Sequence, residues 1–218
     1  MSGISMPTAL YGSKDVTLTD AGFALNGIGT SIFFEDTRKP KWINYNLAIL
    51  QNVNKIDETA IEKFANGSNL NGNKINIQAT VPWRQFFIGG GPKVNAYKNG
   101  YTLYAGILAG LNFLSSAAYN RFDTSFFFKQ KSSNTTSFGI LFNAGTNVNI
   151  TQSIAFTLQA SYYYTSANYG SVVITDANGV VLQLPNQPHL QVPVQTILVQ
   201  TGLTFNLSNN SKNFLKKE

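Results

Sequence analysis

Ser153-Ile154-Ala155-Phe156-Thr157-Leu158-Gln159-Ala160-Ser161-Tyr162-Tyr163-Tyr164-Thr165-Ser166 alternates strictly along its length. Ile154, Phe156, Leu158, Ala160, Tyr162 and Tyr164 share one face. Ala155, Thr157, Gln159, Ser161 and Tyr163 share the other. A period of two is the signature of a strand, because successive side chains point to opposite sides of a sheet. The apolar face ends in tyrosines, whose rings and polar tips suit a boundary between water and lipid. One such strand fits a soluble sheet. Several of them, with short turns at one end and long polar loops at the other, point to a membrane barrel.

Further strands extend the pattern outward. Residues 136–150 set Phe138, Ile140 and Phe142 against Ser137, Gly139, Leu141 and Asn143, and a tight 150–153 turn joins them to the opening stretch. Residues 101–114 set Leu103, Ile107, Leu111 and Phe113 against Tyr104, Gly106, Leu108, Gly110 and Asn112, after an Asn99-Gly100 hairpin signal. Residues 196–207 close the series, with Ile197, Val199, Leu203 and Phe205 opposite Leu198, Gln200 and Gly202. Residues 42–54 place Asn44, Asn46, Asn52 and Asn54 on one face. Asparagine disfavours strands, so this face reads as a wet or polar interior. Residues 21–35 and 74–97 are less regular. The second reads as one long strand with a bulge near Pro82, and Gly89-Gly90-Gly91-Pro92 as a bend in it, since proline cannot donate to a ladder. With an opening strand near residues 4–11, the count is about eight. Connections alternate short and long, which places both termini at the short-turn end.

Composition narrows the classes. Charged residues are 12% of the 218, half the share of an ordinary soluble domain. Mean hydropathy is only −0.07, and no apolar run approaches the ~20 residues of a spanning helix. A closed barrel reconciles the two, because all backbone groups pair within the wall while apolar side chains face lipid. Cysteine is absent, which excludes disulfides and thiolate metal sites. The net charge is +6, half of the excess coming from Lys212, Lys216 and Lys217 in the tail 208–218. Residues 1–12 show no basic region followed by an apolar core, so the sequence reads as a mature chain. The organisation expected is one barrel over 1–207 and a basic tail over 208–218.

This strand-and-turn pattern resembles the small, eight-stranded outer-membrane barrels, the class of the OmpA barrel. Residues 136–166 carry the resemblance best, and 196–207 add to it. Residues 83–111, with Gly-Gly-Gly-Pro and a glycine-rich strand, look like barrels common in Bacteroidota. The resemblance implies an all-β, up-and-down antiparallel transmembrane barrel in a Gram-negative outer membrane with periplasmic termini. It also implies contact with lipid, lipopolysaccharide and other envelope proteins, and no nucleic-acid partner.

Chemistry is sparse. His189, in Pro188-His189-Leu190, falls where lipid A deacylase barrels keep a catalytic histidine, but Leu190-Gln191-Val192-Pro193 follows and the nearby serine is missing. One histidine without cysteine does not make a transition-metal site. No catalytic residue, cofactor or metal is therefore expected. Glu35, Arg84 and Lys93 lie in or near strands and are expected inside the wall, paired, since a buried charge needs a partner. Phe126, Phe127 and Phe128, beside Arg121, form a candidate contact in an outer loop. Residues 57–65 read as a short helix and 171–184 as a small hairpin. The function expected is a non-enzymatic structural or accessory subunit, or a surface-binding protein. A lipid-modifying barrel enzyme and a soluble ligand-binding barrel stay open as alternatives.

Overall fold

The computed structural model describes residues 1–14, 22–35, 42–67, 74–123, 126–171, 173–182 and 189–207. In chain order the strands are β1 (Ser2–Pro7), β2 (Ala24–Glu35), β3 (Ile43–Ile56), β4 (Asn76–Val81), β5 (Trp83–Lys98), β6 (Tyr101–Ser115), β7 (Ala118–Phe122), β8 (Phe127–Gln130), β9 (Asn134–Asn149), β10 (Ile154–Ser171), β11 (Ile174–Thr175) and β12 (His189–Phe205). Two helices, α1 (Ala9–Gly12) and α2 (Glu58–Gly67), sit in the connections. Eight strands close an antiparallel barrel in the order β1-β12-β10-β9-β6-β5-β3-β2. The other four form a second sheet, β11-β8-β7-β4, at the long-loop end. Among the described residues no helix is long and apolar enough to cross a membrane.

The alternation converts directly into two faces. Along β10, Ala155, Thr157, Gln159, Ser161, Tyr163 and Thr165 are buried, while Phe156, Leu158, Tyr162 and Tyr164 are exposed. Asn44, Asn46, Asn52 and Asn54 of β3 all point inward. Exposed apolar side chains run around the wall, from Ile4, Ile28 and Ile32 through Ile107 and Phe142 to Leu203. Polar groups thus fill much of the interior, and an apolar belt faces outward.

The long-strand reading of 74–97 is corrected. Pro82 ends β4, and β5 begins one residue later in a different sheet. β4 pairs with β7, whereas β5 pairs with β3 and β6. A proline offers no N–H, so the chain changes sheets there at little cost in lost pairing. Through the glycine run β5 keeps one register with β3 at Gly89, Gly90, Gly91 and Pro92, while its pairing with β6 is interrupted at Gly91 and Pro92. Gly89, Gly110 and Gly139 lie directly opposite one another across β5, β6 and β9. A Cβ on Gly89 would collide with the Phe87 ring, and one on Gly139 with the Asn112 amide. This row makes room inside a narrow barrel. The opening strand is also shorter than expected. It ends at Pro7, and 9–12 form α1.

The long connections are built, not merely polar. Residues 57–65 enter α2 as expected. Asp57 caps it, its Oδ1 accepting from the Ala60 N–H at 3.0 Å. Glu58, Glu62 and Asn66 follow at spacings of four, so they share one helix face. They accept from the N–H groups of Ala79, Ile77 and Ile75 at 2.6, 2.9 and 2.7 Å. The fit is geometric: four helix residues rise about 6 Å, close to the roughly 6.7 Å of two strand residues. The helix side chains thus stand in for a neighbouring strand and cover the free edge of β4.

Asp57 also meets Lys14 at 2.6 Å. Burial alone would raise its carboxyl, but the Lys14 hydrogen bond and charge, with the Ala60 N–H, outweigh burial and hold it below the ordinary value. A depressed carboxylate contributes stability above its unfolded pKa and loses it as pH falls through the folded value. Asp57→Ala is expected to loosen α2 by about 1 kcal/mol at neutral pH. The difference from wild type should begin to shrink below about pH 4, the ordinary carboxylate value, and be lost only as pH falls through the lower folded value. Hydrogen exchange of the α2 amides at the two pH values measures it.

Candidate functional site

The lumen is layered along the axis. At the long-loop end it is apolar and aromatic. Tyr11 meets Trp83 edge-on at 5.6 Å, Trp83 meets Tyr169 at 5.7 Å, and Phe87 meets Tyr163 at 5.8 Å. The Trp83 Nε1–H donates to the Gly22 carbonyl at 3.0 Å. Leu50, Leu108, Leu141 and Leu198 fill the same core with no exposure. Burial pushes the Tyr11 phenol well above its ordinary pKa, with Tyr169 and Tyr163 adding to the effect. This core is continuous with the second sheet through Ile75, Ile77 and Ala79 of the β4 segment. The barrel is therefore stoppered by its own side chains at that end.

Below it the interior is polar; some of its groups bond one another, while Asn52 Oδ1, Gln85 Nε2 and Thr196 Oγ1 are buried without a partner among the described residues. The Ser31 hydroxyl donates to Gln200 at 2.9 Å, and Gln200 donates to the Gly29 carbonyl at 3.1 Å. Asn52 donates to Gln85 at 3.0 Å, Ser5 donates to Asn54 at 3.1 Å, and Tyr163 donates to Asn112. Asn46 Oδ1 and both side-chain polar atoms of Asn143 are buried without a partner among the described residues.

At the short-turn end the lumen widens into a cavity of about 780 Å³, lined by Glu35, Lys93, Asn95, Tyr104, Asn147 and Thr204 among others. Lys93 Nζ lies 2.6 Å from Glu35 Oε2, with its side chain 7% exposed. Asn44 and Asn95 donate to the other carboxylate oxygen at 2.7 and 3.0 Å. The ammonium also stands 4.0 Å from the centre of the Tyr104 ring. The Tyr104 hydroxyl donates to Gln159 at 2.9 Å, and Gln159 donates to the Ser161 hydroxyl at 2.9 Å. One polar chain thus runs from the cavity mouth into the wall of β10. It ties together β2, β3, β5, β6 and β10.

Two of the three charges expected inside, Glu35 and Lys93, pair there. Arg84 does not. It is exposed on the outer wall, opposite Val53 and Ser115. The reason is parity: Trp83, Gln85 and Phe87 point inward, so Arg84 shares the outer face with Phe86 and Ile88. It sits near the loop-side rim, where an arginine can lay its stem on apolar surface and keep its head in water.

Of the loop-side aromatics, Phe127 and Phe128 are strand residues of the second sheet, and Phe126 precedes β8 and packs against the core. Phe126 and Phe128 stack at 4.8 Å, and the Arg121 guanidinium lies 5.7 Å from the Phe126 ring centre. Phe127 pairs with Phe122 across β7 and β8 and faces the other way from Phe126 and Phe128. All are half-buried. Residues 174–181 form the expected hairpin, with Thr175 bridged to Val181 and Gly179 at φ 82°. Among the described residues no three His, Cys, Asp or Glu side chains gather. The backbone of His189 opens β12. Its side chain lies outside the described residues, as do the 37–40 turn and the 208–218 tail.

The α2 ladder and the Tyr104–Gln159–Ser161 chain escape a strand-by-strand reading. The first left a signal, the 58/62/66 spacing. The second left none, because it joins residues 55 apart that only closure brings together.

No family model matches this chain, and no curated protein matches it. A solved structure does: a major outer membrane protein from Thermus thermophilus, at a TM-score of 0.55 and 11% identity, covering 94% of this chain and 97% of that one. A likeness at that identity speaks for architecture alone, and it shows that this chain folds as an eight-stranded β-barrel of the kind built by an outer membrane protein.

Proposed function

We propose that this chain is an integral outer-membrane barrel with a non-enzymatic role, as a structural or accessory subunit of an envelope complex or as a surface-binding protein. Its termini would lie in the periplasm and its long-loop end outside. One observation carries the reading: an exposed apolar belt encircles a lumen that is polar below and stoppered by an aromatic core above. The belt suits lipid. The stopper opposes a role as an open pore, as expected of about eight strands. The Glu35–Lys93 pair and its hydrogen bonds engage the charged groups of the lumen in holding the wall together. What remains for contact is the belt and the loop-side sheet. Phe127, Phe128 and Arg121 lie on that sheet, Phe126 stands beside it, and together they give envelope proteins or lipopolysaccharide an aromatic and cationic surface.

The test is gentle extraction from the native membrane and identification of what copurifies. Envelope proteins or lipopolysaccharide are expected. A variant lacking 126–128 should still insert and should lose that association. Unchanged copurification would assign the contact to the wall. A chain that refolds to a monodisperse monomer without detergent would overturn the membrane placement. Mass spectrometry of lipid A with and without the protein tests the enzyme alternative, and a changed acylation pattern would overturn the non-enzymatic reading.

A further inference from the structure

Four strands of the outer wall carry a polar row inside the apolar belt. Thr201 lies directly opposite Ser2, Ser2 opposite Thr30, and Thr30 opposite Gln51. All four side chains are exposed. Each is flanked along its own strand by apolar wall residues: Val199 and Leu203, Ile4, Ile28 and Ile32, Ile49 and Val53. The row is therefore within the belt, not at its rim. Past its two ends the same pairing line becomes apolar again, at Leu158 beyond Thr201 and at Phe86 beyond Gln51. Across the barrel, Ile107 and Phe142 stand opposite each other with no such interruption. Among the described residues none of the four side chains has a hydrogen-bond partner.

Directly opposed side chains stand about 5 Å apart, so the row is continuous and not four scattered positions. In hydrocarbon no water is present to satisfy it, and an unpaired hydroxyl or carboxamide there is costly. Small and uncharged polar residues in a lipid-facing surface are the groups that hydrogen-bond between neighbouring membrane segments. We infer that this face, β12-β1-β2-β3, is an interface between two copies of this chain within the membrane; the inference rests on the membrane placement proposed above.

The chemistry selects a second copy over another occupant. Hydroxyls and carboxamides each donate and accept, so the row is complementary to itself. It contains no charge that would call for an opposite one. A two-fold axis along the membrane normal that passes by Thr30 brings Thr30 against its own counterpart and Ser2 against the partner's Gln51, the reciprocal pairing of an isologous contact. The aliphatic neighbours Ile4, Ile28, Ile32 and Val199 surround that centre without a ring, whereas Phe138, Phe142, Tyr162 and Tyr164 project from β9 and β10.

The chain lacks cysteine, so single thiols report cleanly. Thr30→Cys and Ile107→Cys are reconstituted separately in phosphatidylcholine vesicles and treated with a mild membrane-permeant oxidant. Insertion is checked first by the mobility shift between folded and heated samples. Thr30→Cys is expected to give a disulfide-linked dimer and Ile107→Cys none, because the bond needs Cα atoms within about 7 Å. In the cysteine-free chain, Ser2→Ala, Thr30→Val, Gln51→Leu and Thr201→Val together should weaken self-association at least tenfold, read by energy transfer between labelled copies, without reducing barrel stability. An inserted monomer, equal linking at the two cysteines, or unchanged association in the fourfold variant overturns the interface and leaves the membrane placement standing. Thr30→Cys linking to a different protein in native membranes also overturns it. A chain that never inserts overturns the membrane placement itself.

Discussion

Ile107→Arg is expected to lower the stability of the barrel in lipid by about 2–4 kcal/mol, the cost of a guanidinium near the bilayer midplane. Ile107 is exposed on the outer face of β6, opposite Phe142. Thr204→Arg is the matched comparison. Thr204 points toward the lumen side of β12 and lines the cavity at the short-turn end, where a charged head reaches water. Its replacement should cost far less. Reversible unfolding in lipid vesicles, with Ile107→Ala as reference for lost apolar area, gives both numbers. Equal costs at the two positions would mean that water surrounds the wall. Leu158 and Leu203, exposed on β10 and β12, should behave as Ile107 does.

Glu35→Ala is expected to cost about 3 kcal/mol, because it leaves the Lys93 ammonium buried without its carboxylate. The Tyr104 ring alone does not replace that partner. Lys93→Met should cost less, since Glu35 keeps the donors Asn44 and Asn95 and its side chain is nearer water, 18% exposed against 7% for Lys93. Glu35→Leu with Lys93→Met removes both charges and should recover most of the loss. The double-mutant cycle separates the pair's coupling from the two burial costs. Additive single effects would show that the pair does not hold the short-turn end of β2 to β5.

The strand faces can be read from residue order because a period of two ties parity to direction. Once Phe156 and Leu158 point outward, Thr157 and Gln159 must point inward. The same rule accounts for the outward place of Arg84. Treating 74–97 as one strand with a slip at Pro82 blurs parity where it matters. Counted from Phe86 alone, Arg84 falls on the outer face. The helix over α2 and the hairpin over 174–181 are legible from capping and turn residues, which act over three or four positions. Their packing is not, since the β4 edge that α2 covers exists only once β4 has left the barrel wall.

By itself the sequence determined the class of fold: alternation, low charge, inward asparagines and alternating loop lengths admit an eight-stranded barrel and little else. These are local properties, carried by neighbouring residues on one strand. Tertiary structure decided what depends on closure. It brought Glu35 to Lys93 across 58 residues, and Ser31 to Gln200 across 169. It chose which strands form the second sheet. It also lined up Thr201, Ser2, Thr30 and Gln51 across four strands, since register between strands is set by which partners meet and by how the wall closes, and no single strand carries that information.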